Sequence, residues 1–238
     1  MSIAEKLTTI AENVPKVYDA GKNAGKAEES RAWWDCFTNK NTRTTYDYAF
    51  YQSNFNLLEG GFNPPYTLKP SYAGYIFRSA RGVTKIKKEH FDWSNNASAN
   101  YMCCYCYDLE EVEEFEIGNN HMWTFSDCTK LKTIGKFTLR SGCTIKSEHP
   151  FANCNSLENI IFDGVIPNSV SFQWCSKLTV ESMKSLISSL QDYSGTDKAF
   201  AYTISFHADA LARLNAEGAT SPNNNLWTDY VRDLGWNI

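Results

Sequence analysis

The feature that most constrains this chain is a ten-residue pattern, Phe-x-x-Cys-x-x-Leu-x-x-Ile, which recurs along the middle of the sequence. We number its four apolar positions first, fourth, seventh and tenth. The clearest copies contain Phe125, Cys128, Leu131 and Ile134, then Phe151, Cys154, Leu157 and Ile160, and then Phe172, Cys175 and Leu178. Segments 77–86 and 103–112 fit the same frame, with Ala80 at one fourth position and Cys103 at one first position.

The spacing of these copies predicts a stack of repeats. The fourth-position residues, numbered 80, 106, 128, 154 and 175, are separated by 26, 22, 26 and 21 residues. Fixed apolar positions at a period of about 20–30 residues are typical of proteins in which each unit covers the apolar face of its neighbour. We expect the phenylalanines and the cysteines to form separate ladders, with cysteine acting as a small hydrophobic residue in a tight turn. Short strands are predicted at 115–117, 137–139 and 161–162.

The eight cysteines and the 14% of aromatic residues also fit a disulfide framework or a metal site. The first residues contain no apolar run of the length found in signal peptides, so we expect synthesis in a cytoplasm, where thiols stay reduced. Cys103 and Cys106 have the spacing of zinc ligands, with His121 and His149 downstream, but a second close pair of ligands is missing. Because the repeat accounts for both cysteines, we expect no metal, no cofactor, and ladder thiols that are reduced and mostly buried.

Charge and motifs exclude several classes of protein. A formal net charge of −4 argues against a general nucleic-acid binder. The sequence contains no stretch of about 18 apolar residues, so it predicts no membrane span. No nucleophile elbow, dinucleotide fingerprint or zinc-protease motif occurs, and none of the four histidines lies in a recognisable catalytic setting. The acid pairs 110–111 and 113–114 flank Val112 and Phe115, as on the solvated face of a strand. The sequence therefore predicts no catalytic residues.

Residues 1–31 are predicted to form an oligomerising or anchoring helix. Its apolar stripe has a period of 3.5 residues, which is typical of helices that pack on other helices, and consists of Ile3, Leu7, Ile10, Val14 and Val17. Isoleucines in the stripe favour a trimer as the first choice. An amphipathic helix that packs on its own domain is the alternative. Pro15 is expected to kink the helix in either case.

Two further regions flank the repeats, which span residues 77–180. Residues 32–76 are irregular and very aromatic, and we interpret them as an N-terminal cap, with a carbohydrate-binding surface as the alternative. Residues 181–238 are predicted to form a helix–strand–helix C-terminal cap, with helices near 180–190 and 207–216 and a last short helix before Leu234. Such ends shield the open core of a stack.

The repeat resembles the BspA-like leucine-rich repeat family, whose units carry an Ala-Phe-x-x-Cys-x-x-Leu-x-x-Ile core. The resemblance covers residues 77–180 and implies an α+β repeat fold: a leucine-rich-repeat-type β-solenoid with an N-terminal helix and an α/β C-terminal cap. It also implies adhesion or recognition rather than catalysis. The opening segment 1–25, segment 178–190 and the ending 218–236 resemble structural proteins encoded by phages and prophages of gut Firmicutes.

Together these expectations describe a non-enzymatic virion protein of a bacteriophage, in a fibre, in the tail or on the capsid. Its expected partners are itself, neighbouring virion proteins, and a bacterial surface polymer or protein that the repeats recognise. Nucleic acid and membrane are not expected partners, and the sequence does not indicate which residues bind the ligand. A bacterial adhesin or interaction protein of the same repeat type is one alternative, and a surface polysaccharide depolymerase is another.

Overall fold

The computed structural model describes residues 49–57, 61–65, 67–95, 98–118, 122–145 and 149–238. The predicted stripe of residues 3–17, and with it the oligomerising helix, lies outside these residues. The described part contains six strands, β1 Lys85–Ile86, β2 Glu111–Ile117, β3 Thr133–Leu139, β4 Asn159–Asp163, β5 Val170–Phe172 and β6 Ile204–Phe206. It also contains three α-helices, α1 Val180–Ser188, α2 Ala208–Ala216 and α3 Trp227–Asp233, and two 3-10 turns, Phe55–Leu57 and Lys88–His90.

The strands form parallel sheets, because each unit returns the chain to the same side of the core. Strands β1 to β4 lie side by side in chain order, and β5 pairs with β6. The tenth positions of the repeats occupy one register, with Ile86 opposite Val112, Val112 opposite Ile134, and Ile134 opposite Ile160. The predicted strands are therefore confirmed, and the described chain belongs to the mixed α/β class.

The first positions of the repeats lie across the core from the sheet. Neighbouring rings stack there, with centroids 5.9 Å apart for Phe125 and Phe151 and 5.0 Å apart for Phe151 and Phe172. Phe115, from β2, packs edge-on against Phe125 at 5.1 Å, so sheet and ring ladder share one core. Every predicted repeat-core residue is buried: Phe125, Cys128, Leu131, Ile134, Phe151, Cys154, Leu157, Ile160, Phe172, Cys175 and Leu178.

The fourth-position cysteines are buried, as predicted, and they make hydrogen bonds that the sequence did not reveal. The Cys128 thiol donates to the carbonyl oxygen of Cys103 at 3.0 Å, and the Cys154 thiol donates to that of Phe125 at 3.0 Å. The Cys106 thiol donates in the same way to Phe77, at 2.9 Å. Each thiol therefore bonds to the first position of the unit before it.

The stacking begins earlier in the chain than the sequence pattern indicates. The ring of Phe50 stacks on Phe77 with centroids 5.5 Å apart, and the Phe50 amide donates to the carbonyl oxygen of Ile76 at 2.8 Å. Leu68 forms a parallel bridge with Phe91. Part of the region interpreted as an aromatic cap thus stacks on the first unit, although it departs from the pattern with Ser53 at the fourth position and the exposed Asn56 at the seventh.

A bulge in β3 requires glycine at one position of the sheet. The register of β3 against β4 shifts between Ile134 and Phe137, and Gly135 lies inside that shift. A β-carbon on Gly135 would come 2.6 Å from the carbonyl oxygen of Glu113, closer than any real side chain approaches. Only glycine allows β2 and β3 to lie this close at the bulge.

Helix α1 takes the place of a fifth strand beside β4. Thr179 caps its first turn by accepting a hydrogen bond from the Ser182 amide. The hydroxyl of Ser182 accepts a bond from the Ile160 amide at 3.0 Å and donates to the Glu158 carbonyl oxygen at 3.1 Å. The Ser185 hydroxyl accepts a bond from the Phe162 amide at 3.2 Å. The helix therefore satisfies backbone groups at an edge that would otherwise be open to pairing.

Candidate binding surface

The turns before the first positions carry a series of half-buried aromatic side chains, which we call the aromatic row. Successive units contribute one ring each, two residues before the first position, and a tryptophan of the last unit completes the series: Tyr75, Tyr101, Trp123, His149 and Trp174. The rings of Tyr75 and Tyr101 stack with centroids 5.0 Å apart. His149 lies 6.1 Å from Trp123 and 4.9 Å from Trp174.

Backbone hydrogen bonds join the two halves of the aromatic row. The Tyr75 amide donates to the carbonyl oxygen of Asn100, and the Tyr101 amide donates to that of Met122, both at 2.8 Å. These bonds repeat from one unit to the next and hold the row residues in line along the stack. The row is therefore an extended surface with one side chain per unit, rather than a closed pocket.

Three members of the row have a left-handed backbone. The φ angles of Tyr75, Tyr101 and Trp123 are +57°, +52° and +55°. Bulky side chains rarely adopt this conformation, which costs about 1–2 kcal/mol per residue. The same conformation in three successive units shows that the turn imposes it, and the stacked backbone hydrogen bonds stabilise it. The left-handed conformation is thus a property of the turn, and it fixes the backbone from which each ring projects.

An arginine lies among the tyrosines at the N-terminal half of the row. The guanidinium carbon of Arg78 lies 5.5 Å from the ring centroid of Tyr75, 5.4 Å from that of Tyr101 and 5.6 Å from that of Tyr105. These distances are in the range of cation–π attraction. Tyr107 adds a ring that is 52% exposed, 6.2 Å from Tyr105. We call Arg78 with these four tyrosines the tyrosine–arginine cluster.

The sequence contains a signal for the row that our repeat pattern left out. An aromatic residue or histidine stands two residues before the first position in four successive units, as Tyr-x-Phe, Tyr-x-Cys, Trp-x-Phe and His-x-Phe. Extending the pattern two residues upstream reveals the row. Nothing in the sequence alone indicates that Arg78 lies against three rings, because two of them belong to the next unit.

A second candidate surface is a groove on the outer side of the sheet, with a volume of about 220 Å³. We call it the outer groove. Its lining includes the carboxylates of Asp92, Glu114 and Glu116, together with Lys136 and Thr138. Asp92, which follows the 3-10 turn Lys88–His90, meets the β2 residues Glu114 and Glu116 at this groove.

Each acid of the outer groove has a partner. Glu114 pairs with Lys88 and Glu116 pairs with Arg140, both at 2.8 Å. Hydrogen bonds from Ser94 hold the pKa of Asp92 below its usual value. Around the groove, therefore, the β2 acids form ion pairs with basic residues of the neighbouring units, as expected for a solvated face.

Cys103 and Cys106, which have the spacing of zinc ligands, are both buried in the core of this structure. Burial raises the pKa of both thiols, and it raises that of Cys175 to about 12. A thiol with a raised pKa is a poor nucleophile and a poor metal ligand at neutral pH. Within the described residues, which do not include His121, no three His, Cys, Asp or Glu side chains are grouped so that they could hold a metal ion.

Three comparisons with known proteins gave no match. No protein-family model matches the chain, and no curated protein or solved structure is significantly similar to it. In the part of the chain that the structure describes, no helix has the length and apolar character needed to cross a membrane. The candidate surfaces must therefore be interpreted from their own chemistry.

Proposed function

We propose that this chain is a non-enzymatic structural protein of a bacteriophage virion whose stacked repeats recognise the bacterial surface. The observation that carries the proposal is the aromatic row, which presents one ring per unit along the stack. A surface polymer is itself a series of equal units, and many weak contacts along it add up to firm binding. The virion assignment rests on the resemblance of the two ends to phage structural proteins.

We further propose that the stack is a leucine-rich-repeat-type β-solenoid of the BspA-like family. Support comes from parallel strands in register, the ladder of first-position rings and the thiol bonds between units. Residues 1–31 form a trimeric stalk in this proposal, and residues 181–238 close the stack at its other end. The partners are then other copies of the chain, neighbouring virion proteins and the host surface polymer or protein, with no cofactor, nucleic acid or membrane.

The test of the virion assignment is made on particles. Phage particles are induced from the bacterium that carries the gene, purified on a density gradient, and probed with an antibody against this chain. Labelling that sediments with the particles supports the proposal. Labelling that stays on intact cells and is missing from the particles overturns it, and favours the bacterial adhesin.

The outer groove supports a second candidate, a surface polysaccharide depolymerase, because it places three carboxylates around one polar cavity. In this reading Glu114 and Glu116 would be the acid and base, since glycoside hydrolysis uses a pair of carboxyl groups. The test is the release of reducing ends from host capsule or wall polymer by the purified chain. Release that is lost in Glu116→Gln but kept in the exposed-site control Glu181→Gln would establish the enzyme, and no release would leave the binding protein.

A further inference from the structure

The tyrosine–arginine cluster contains a cation that forms no ion pair with a carboxylate of the described residues. Among the residues that the structure describes, no carboxylate forms an ion pair with Arg78, whereas the basic residues along the sheet pair with acids: Lys85, Lys88, Lys130, Lys132, Lys136 and Arg140. The nearby carboxylate of Asp127 accepts hydrogen bonds from the Ser126 hydroxyl and the Asn153 amide instead, both at 2.8 Å.

The three ring contacts of Arg78 are in the range of cation–π attraction, which does not use the N–H donors of its guanidinium. Cation–π attraction acts on the faces of the guanidinium plane, while its five N–H groups point outward from the edges of that plane. Through these N–H groups a guanidinium can bind a carboxylate or a phosphate with two parallel bonds. The tyrosine hydroxyls around it add groups that both donate and accept.

We propose that the tyrosine–arginine cluster is a binding site for an anionic, polyhydroxylated polymer, with Arg78 on the charged group and the tyrosines on the adjoining hydroxyl-bearing units. The inference rests on the proposed recognition function and names its ligand class. The charged group is a phosphodiester or a uronate carboxylate, since both offer paired oxygens. The aromatic row continues from the cluster along the stack, so a polymer bound at Arg78 has further rings beside its next units.

An acidic polypeptide and a nucleic acid fit the surface less well. A nucleic acid needs a patch of several cations, whereas Arg78 stands alone among tyrosines in the described cluster and the chain has a net charge of −4. A polypeptide would offer carboxylates but few hydroxyl groups to the tyrosines. The tyrosine hydroxyls thus favour a sugar or polyol backbone.

The experiment measures binding of the full chain by isothermal titration at low and at physiological salt. The probes are polygalacturonate, poly(glycerol phosphate), neutral dextran and polyglutamate. We expect either polygalacturonate or poly(glycerol phosphate) to bind, and the one that binds identifies the charged group as a carboxylate or a phosphodiester. We expect the affinity to fall as the salt concentration rises. Arg78→Gln should weaken that binding at least tenfold, and Arg78→Lys should weaken it as well because lysine lacks the planar fork.

The matched control is Arg81→Gln, which removes the same charge from an exposed arginine three residues away. It should leave the affinity within twofold of the wild type. Equal weakening by Arg78→Gln and Arg81→Gln, equal binding of polyglutamate or dextran, or no binding of either anionic polymer overturns the inference. Thermal melting of each variant separates loss of the site from loss of the fold.

Failure of this inference and failure of the proposed function are distinguishable. Particle labelling is read on virions and does not depend on Arg78, whereas polymer binding is read on the purified chain. Labelled particles without polymer binding overturn the inference and leave the virion assignment. Polymer binding that needs Arg78, with no labelled particles, supports the binding site and overturns the virion assignment.

Discussion

At the scale of single residues, the fourth position of the repeat takes a small side chain, and in three units that side chain donates a hydrogen bond. The turn places the first-position carbonyl oxygen of the preceding unit in the core, out of reach of water. The thiols of Cys106, Cys128 and Cys154 donate to that oxygen at 2.9–3.0 Å. The oxygen also accepts a bond from the fourth-position amide of its own unit, as that of Cys103 does from Cys106, so the thiol is a second donor. Alanine fits the same space, as Ala80 does, but lacks this second donor.

We predict that Cys128→Ala lowers the free energy of unfolding by about 1–3 kcal/mol, because it removes both the sulfur volume and the bond to the Cys103 carbonyl oxygen. Urea denaturation measures the change. Cys143→Ala is the control: Cys143 lies half-buried at the edge of the core, and its loss should change the stability by less than about 0.5 kcal/mol. Equal effects at the two sites would contradict the role of the thiol bond.

A buried histidine makes the stability depend on pH. His90 is 2% exposed, its Nδ1 atom accepts a bond from the Lys87 amide at 3.2 Å, and its Nε2 atom has no hydrogen-bond partner in the described structure. Burial lowers the pKa of His90 to about 4, from 6.5. The folded state therefore binds this proton less readily than the unfolded state, and the protein loses stability as the pH falls from 6.5 towards 4.

We predict that the free energy of unfolding decreases by about 2 kcal/mol between pH 7 and pH 5 through His90 alone. His90→Gln keeps an acceptor for the Lys87 amide but cannot titrate, so its stability should change less over this interval. His207→Gln, at a more exposed histidine, is the control and should keep the wild-type slope. A slope that is unchanged in His90→Gln would show that other groups cause the pH dependence.

At the scale of elements, helix α1 protects the open edge of the main sheet. The β4 amides of Ile160 and Phe162 find their acceptors in two serine hydroxyls of the helix. A strand in this place would itself present unpaired N–H and C=O groups at its far edge, whereas a helix satisfies most of its backbone groups internally. The serines stand three residues apart, at neighbouring positions on one face of the helix, and so they reach alternate amides of the strand.

We predict that Ser182→Ala lowers the free energy of unfolding by about 1–3 kcal/mol, because it leaves the Ile160 amide without an acceptor, while the Glu158 carbonyl oxygen keeps its bond from the Thr179 amide. Ser188→Ala, at the exposed end of the same helix, should change it by less than about 0.5 kcal/mol. Denaturation curves compare the two variants. Hydrogen exchange provides a second reading: the Ile160 amide should exchange faster in Ser182→Ala, and an unchanged rate would contradict the cap.

At the scale of the whole molecule, a stack of units has a surface that repeats, and this suits a repeating ligand. The rows of first-position rings and of outward aromatic side chains run along the same direction because successive units are in register. In the proposed recognition function, the affinity for a polymer would grow with the number of units, and it would grow again when several copies of the chain are joined. The proposed trimeric stalk of residues 1–31 would supply that second increase.

We predict that the full chain is a trimer in solution and that Ile10→Asp converts it to a monomer. The substitution places a charge in the apolar stripe, where burial against partner helices would be strongly unfavourable. Thr9→Asp, outside the stripe, should leave the trimer intact. Light scattering measures the mass of each variant, and a monomeric wild type would contradict the oligomerising helix.

The repeat pattern could be found from the sequence because it consists of the apolar residues that each unit must bury in the core. Phe125, Cys128, Leu131 and Ile134 are all buried where the pattern placed them. The additional segment around Phe50 was missed because it departs from the pattern at two positions, with Ser53 at the fourth and the exposed Asn56 at the seventh. The helices α2 and α3 were predicted near their observed positions because their apolar periodicity is local to each segment.

The sequence alone determined the period of this protein, its buried ladders and the order of its elements, since these follow from which side chains must leave water. Only the tertiary structure decided where the surface chemistry lies. Arg78 meets Tyr101 and Tyr105 because neighbouring units stack in register, and Glu114 meets Asp92 across a groove for the same reason. Burial restricts the residue types of the core but not those of the surface. The contacts of surface side chains therefore depend on how the units are placed on one another.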